Sequence, residues 1–88
     1  MKIFKYELRI EEHQKIGTHV GAQVLDMQCQ AGQLVVWMAV DPTMPTVYRE
    51  FSIVGTGHDI PDGVQTYVAT AQQGSLVWHL FDGGEIYS

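Results

Sequence analysis

The sequence has one cysteine, five basic residues and no long apolar run, and each shortage removes a class of protein. The single thiol, Cys29, cannot close an intrachain disulfide, so the fold does not depend on oxidation and suits a reducing, cytoplasmic setting. Its expected role is that of a small buried apolar side chain. Residues 1–6 lack the apolar core and small-residue cleavage site of a secretion signal, and nothing approaches the ~20 apolar residues that span a bilayer. No membrane partner is expected. Lys and Arg total 5 against 10 Asp and Glu, a formal net charge of −5. That balance argues against a nucleic-acid polymer as partner, because such affinity rests on neutralising phosphates. Lys2, Lys5, Arg9 and Lys15 all fall early in the chain, a local basic edge that reads first as a solvated strand face.

What is present is 88 residues, 45% of them hydrophobic and 17% charged. This allows one domain, 1–88, apolar enough to fold. A core of this size supplies roughly 3–5 kcal/mol, so a second subunit is a natural source of stability and a homo-oligomer is expected.

Alternation of apolar and polar residues carries the fold. Phe4, Tyr6, Leu8 and Ile10 alternate with Lys5, Glu7 and Arg9, as in a half-buried strand. Residues 11–15 are polar and break the pattern, and Ile16 to Gly21 reads as a brief extended piece within a connector. Leu25, Met27 and Cys29 share one face of a second strand, and Ala31-Gly32 links it as a hairpin to Gln33–Val40. That run is apolar on both faces and belongs in the middle of a sheet. The prolines of Asp41-Pro42-Thr43-Met44-Pro45 impose a rigid loop. Val47, Arg49, Phe51 and Ile53 then face inward against Tyr48, Glu50 and Ser52. A strand from Gln65 to Gln72, a turn at Gln73-Gly74 and a central strand from Ser75 to Asp82 follow, and the tail 83–88 is expected to fray. No helical period appears. The fold is therefore expected to be all-β, a small antiparallel sandwich or partly open barrel of six or seven strands.

The candidate site lies where the strand ending at Val54 enters Gly55-Thr56-Gly57-His58. Glycine-rich turns present amides to anions, although here no helix follows and the spacing is not that of a phosphate loop. The alternative is that the glycines only let a strand end bend. Arg49 is the odd member of an apolar face. Either it pairs with a carboxylate such as Asp26 or Asp41, or it points into a ligand pocket or a subunit interface, where a guanidinium suits phosphate or carboxylate. Tyr48 is an outward aromatic that can stack on a base or anchor a partner. Trp37 and Trp78 read as core, and His79, alternating with Val77 and Phe81, reads as a satisfied interior histidine. His13, His19, His58 and His79 are scattered, so no metal and no cofactor are expected.

Val54-Gly55-Thr56-Gly57-His58-Asp59-Ile60 and Gly74-Ser75-Leu76-Val77-Trp78-His79-Leu80-Phe81, with Leu34 to Asp41 and Arg49-Glu50-Phe51, resemble a family of short phage and prophage proteins of unknown function. The resemblance covers nearly the whole chain. It implies a phage context, in which small accessory proteins often inhibit host defences or host enzymes, and it supplies no catalytic residue. Together these features lead to the expectation of a non-enzymatic anti-defence protein that binds and sequesters a small anionic, nucleotide-derived signal. The ligand-binding residues would be Tyr48, Arg49, Gly55, Thr56, Gly57, His58, Trp78 and His79. The alternatives are an inhibitor that docks on a host protein, through an edge strand or the Asp59 to Asp62 loop, and a structural component of the virion.

Overall fold

The computed structural model describes residues 1–63 and 66–86. It contains seven strands: β1 (Lys2–Glu7), β2 (His13–His19), β3 (Gln23–Gln30), β4 (Gln33–Val40), β5 (Thr46–Gly55), β6 (Thr66–Gln73) and β7 (Leu76–Ile86). They form two antiparallel sheets, one ordered β1-β4-β3 and the other β2-β5-β7-β6. The architecture is an open sandwich, all-β as the alternation predicts, and not a closed barrel. β4 and β7, the two strands apolar on both faces, each have a neighbour on either side.

Between the sheets lie Leu8, Met27, Leu34, Val36, Met38, Val40, Phe51, Ile53 and Leu80, all buried. Small Ala69 and Ala71 of β6 pair with large Leu80 and Trp78 of β7, so the two strands fill the space in a complementary way. The turn Ala31-Gly32 has φ of 48° and 82°, the two positive values that a two-residue type I′ hairpin requires.

Several local expectations change. β2 begins at His13, inside the stretch that reads as a polar connector. Gln14, although polar, is buried: its amide nitrogen donates to the carbonyls of Arg9 and Glu11, and its oxygen accepts from the Arg9 amide. It packs by satisfying backbone groups, which hydrophobic periodicity cannot register. In β3 a bulge between Val24 and Asp26 makes Leu25 an extra residue, so Val24 joins Met27 and Cys29 against the core while Leu25 is exposed. Ile10 is exposed as well. Trp37 is half-buried on the outer face of its sheet, paired with Lys5 and Asp26. Residues 83–86 do not fray but continue β7 past a bulge opposite Glu50 and Phe51, where the Gly84 amide donates to Asp82 Oδ1. The expected strand start at Gln65 and the tail residues Tyr87 and Ser88 lie outside the described residues.

The sandwich is closed on one side only. β3 and β6, edge strands of different sheets, pack against each other, and Gln73 donates to the Gly32 carbonyl at 2.8 Å. β1 and β2, the opposite edges, make no comparable approach. There the Tyr6 and Thr18 hydroxyls meet at 2.9 Å.

Candidate functional site

The residues from Gly55 to His58 form a β-turn in which the His58 amide donates to the Gly55 carbonyl at 3.1 Å. Gly57 holds the third position with φ of 90°, as a type II turn demands. The Thr56 amide donates to Val77 O at 3.2 Å. Two amides that an anion would use are therefore already spent. Gly55 has a different task, because a methyl group there would sit 3.2 Å from both His58 Nδ1 and Trp78 Cζ3. Its bare α-carbon makes room for both rings.

A depression of about 310 Å³ opens beside them, lined by Ile10, Ile53, Gly55, His58 and Trp78 together with Glu11, Glu12 and Asp59. The charge at this rim is acidic. Trp78 also donates from Nε1 to Gln73 Oε1 at 3.0 Å.

Arg49 does not reach this place. It lies on the same strand six residues before Gly55, roughly 20 Å away at about 3.3 Å per residue. Its partner is neither Asp26 nor Asp41 but Asp82: Nε to Oδ1 at 3.0 Å and Nη2 to Oδ2 at 2.7 Å, with Nη1 donating to Ala22 O at 2.9 Å. The guanidinium is spent inside the fold. Strand order decided this, since β5 and β7 are hydrogen-bonded neighbours.

His79 lies on the outer face of its sheet rather than in the interior. Its Nε2 is 2.8 Å from Thr56 Oγ1 and its Nδ1 2.9 Å from Thr70 Oγ1, and Thr70 also meets the Tyr67 hydroxyl at 2.7 Å. The Thr56–His79 spacing is within nucleophile–base reach. The group behind the imidazole is a hydroxyl instead of a carboxylate, and the Thr56 and His58 amides, already bonded to carbonyls, are not available to hold an oxyanion. Among the described residues no three His, Cys, Asp or Glu side chains come together to hold a metal ion.

The eight residues singled out in the sequence thus fall in separate places. Gly55, His58 and Trp78 share the acidic depression, and Gly57 shapes the turn beside it. Thr56 and His79 meet on the outer face, Arg49 is internal, and Tyr48 belongs to a second concavity. That concavity is larger, about 740 Å³, and lies at the open side between β1 and β2. Phe4 and Tyr6 line it from one sheet, and Thr18, Val47, Tyr48 and Ile86 from the other. Tyr48 is exposed, with its ring edge against Gly17. Of these only Tyr48 stood out in the sequence. The available signal for the rest was the placement of every lysine in the first fifteen residues, on what prove to be the two edge strands of the open side.

A family model described as a domain of unknown function, DUF7352, matches residues 1–86, and the chain belongs to that family. No curated protein and no solved structure matches it.

Proposed function

We propose that this DUF7352 chain is a non-enzymatic, phage-encoded accessory protein that inhibits a host protein by taking an extended segment of it into the open side of the sandwich. One observation carries this reading: the sandwich is closed where β3 meets β6 and open where β1 faces β2, and the opening is a groove lined by Phe4, Tyr6, Val47 and Ile86. An unpaired strand edge offers backbone donors and acceptors to an incoming strand, and the groove beside it offers apolar surface for alternate side chains. Exposed Ile3 on β1 and exposed Tyr48 on β5, the strand beside β2, add apolar surface near the opening. Sequestration of a small anionic, nucleotide-like ligand has less support, since Arg49 is committed to Asp82 and the depression beside His58 carries three carboxylates.

The test is photo-crosslinking from a reactive side chain placed at Ile3, in extract of the host. The expected result is a crosslink to a defined extended segment of one protein, lost in Tyr48→Asp and kept in Leu76→Glu, a change at an exposed residue of β7. Crosslinking that Leu76→Glu abolishes and Tyr48→Asp spares would overturn the proposal. Calorimetry against cyclic and ADP-ribose-type nucleotides covers the other reading, and micromolar binding that requires His58 would install it instead.

A further inference from the structure

β4 is apolar on both faces, and only one of them is packed. Leu34, Val36, Met38 and Val40 belong to the core between the sheets, whereas Val35, Trp37 and Ala39 face outward, where no further layer of the described residues lies. Val35 is nevertheless buried, because Lys5 of β1 donates to Gln30 of β3 at 3.1 Å and so arches over β4 between Trp37 and Gln33. Trp37 and Ala39 stay half-exposed. Ile3, exposed, is opposite Ala39, and exposed Leu25 is the extra residue beside Asp26.

Directly opposed residues of neighbouring strands share a face, so Lys5, Trp37 and Asp26 form one row across β1, β4 and β3. A cation and a carboxylate thus flank the indole on its two sides. Two strand spacings, roughly 9–10 Å, hold their backbones apart. Neither has an ionic partner: the two salt bridges among the described residues are Arg9–Glu11 and Arg49–Asp82, and the donors to Asp26 are the neutral Met27 amide and Gln28.

Such a row is its own complement. A half-turn about an axis along β4, between two facing copies, keeps each position along the strand and exchanges the β1 side with the β3 side. Lys5 of one copy then lies over Asp26 of the other, Asp26 over Lys5, and Trp37 over Trp37. The adjoining rows agree, since Ile3–Ala39–Gln23 sets Ile3 over Gln23, and Glu7–Val35–Gln28 sets the Glu7 carboxylate over the Gln28 amide. No like charges are superposed. A half-turn about an axis across the strands at Trp37 would instead put Lys5 over Lys5. We infer that two copies of the chain dimerise through the outer face of the β1-β4-β3 sheet, with Trp37 on the twofold axis and two symmetric Lys5–Asp26 ion pairs. Facing sheets lie about 10 Å apart with strands within about 30° of one another, a gap that lysine and aspartate side chains span together. The groove between β1 and β2 stays open in both copies, so the dimer is independent of the docking role proposed above. Three strands offer a face of roughly 14 by 26 Å, small beside the ~800 Å² per partner of a standard interface. Association is accordingly weak and concentration-dependent.

Sedimentation velocity from micromolar to millimolar protein tests this. The parent is expected to pass from monomer to dimer, and Lys5→Glu or Asp26→Lys, each placing like charges together twice, should weaken that dimer at least about tenfold. Mixing the two variants should restore it as a heterodimer, identified by native mass spectrometry, because both contacts again join opposite charges. Lys15→Glu, the same charge change on the other sheet, should leave the parent dimer intact. A parent that remains monomeric at millimolar concentration overturns the inference. A dimer untouched by both single reversals overturns the assignment to this face, and weakened variants that fail to pair when mixed overturn the Lys5–Asp26 contacts.

Discussion

Arg49 on β5 and Asp82 on β7 form a two-pronged ion pair at 3.0 and 2.7 Å, with both side chains largely buried at 15% and 12% exposure. The pair does not stand alone, because Arg49 also caps the Ala22 carbonyl and Asp82 accepts the Gly84 amide. It ties the link before β3 and the bulge of β7 to the middle of β5. Arg49→Met leaves a buried carboxylate without its partner and is expected to destabilise by about 3–5 kcal/mol, measured by denaturant unfolding. Arg49→Met with Asp82→Leu should recover only part of that loss, since Ala22 O and Gly84 N remain unsatisfied. A double variant as stable as the parent would show that these backbone groups find other partners.

Ala31 sits at φ 48° in the β3–β4 hairpin, where a side chain is unfavourable by about 1–2 kcal/mol. Ala31→Gly, or Ala31→Asn, which tolerates this backbone well, should raise the thermal midpoint by several degrees. An unchanged or lower midpoint would mean that the turn is not limiting.

Gly55 and Gly57 are expected to respond differently to the same change. Gly55→Ala pushes a methyl group against His58 and Trp78, an overpacking cost of about 1–3 kcal/mol that should alter Trp78 fluorescence and be partly relieved by His58→Ala. Gly57→Ala meets nothing in space but strains the turn through its φ of 90°. Removing His58 should not rescue it. Rescue of both variants, or of neither, would contradict the separate roles assigned to the two glycines.

Asp41 accepts hydrogen bonds from the Thr43 hydroxyl at 2.6 Å and the Thr43 amide at 3.0 Å, and these hold its carboxyl below the ordinary value of 3.8. A depressed pKa contributes stability above the ordinary value, and that contribution is lost as pH falls from 3.8 through the lower folded value. Thr43→Val removes the larger cause, so the Asp41 titration should move up toward 3.8 and the acid-side loss should become smaller. Carboxyl carbon shifts followed from pH 6 to pH 2 read this directly. An unmoved midpoint would assign the depression to the amide.

The strands were legible wherever burial follows side-chain hydrophobicity. β4 and β7 announce themselves by being apolar on both faces, and Val47, Phe51 and Ile53 by alternation, although Ser52, expected outward, is buried as well. The reading failed where another force buries the residue or where the period slips. Gln14 is inside because it serves three backbone groups, so β2 looked like a connector. Leu25 left its face because one extra residue shifts the register, and residues 83–86 stayed in β7 because Asp82 caps the bulge. The site was less legible than the fold. Arg49 was recognised as anomalous, but its partner depends on β5 lying beside β7, and sequence spacing does not encode strand order. The groove was invisible for the same reason, being a property of which two edge strands do not pack against each other.

The position of β7 sets an order for folding on the ribosome. β1, β3 and β4 all lie within residues 2–40, so the three-stranded sheet has its full membership early in synthesis. The four-stranded sheet has β7 between β5 and β6, and β5 relies on Asp82 to neutralise Arg49. Until residues 76–86 emerge, β2 and β5 have no bridge to β6, and a nascent chain halted at residue 75 exposes the inner face of the three-stranded sheet to solvent. A chain in that state is prone to aggregation, and completion of the four-stranded sheet is gated by one strand.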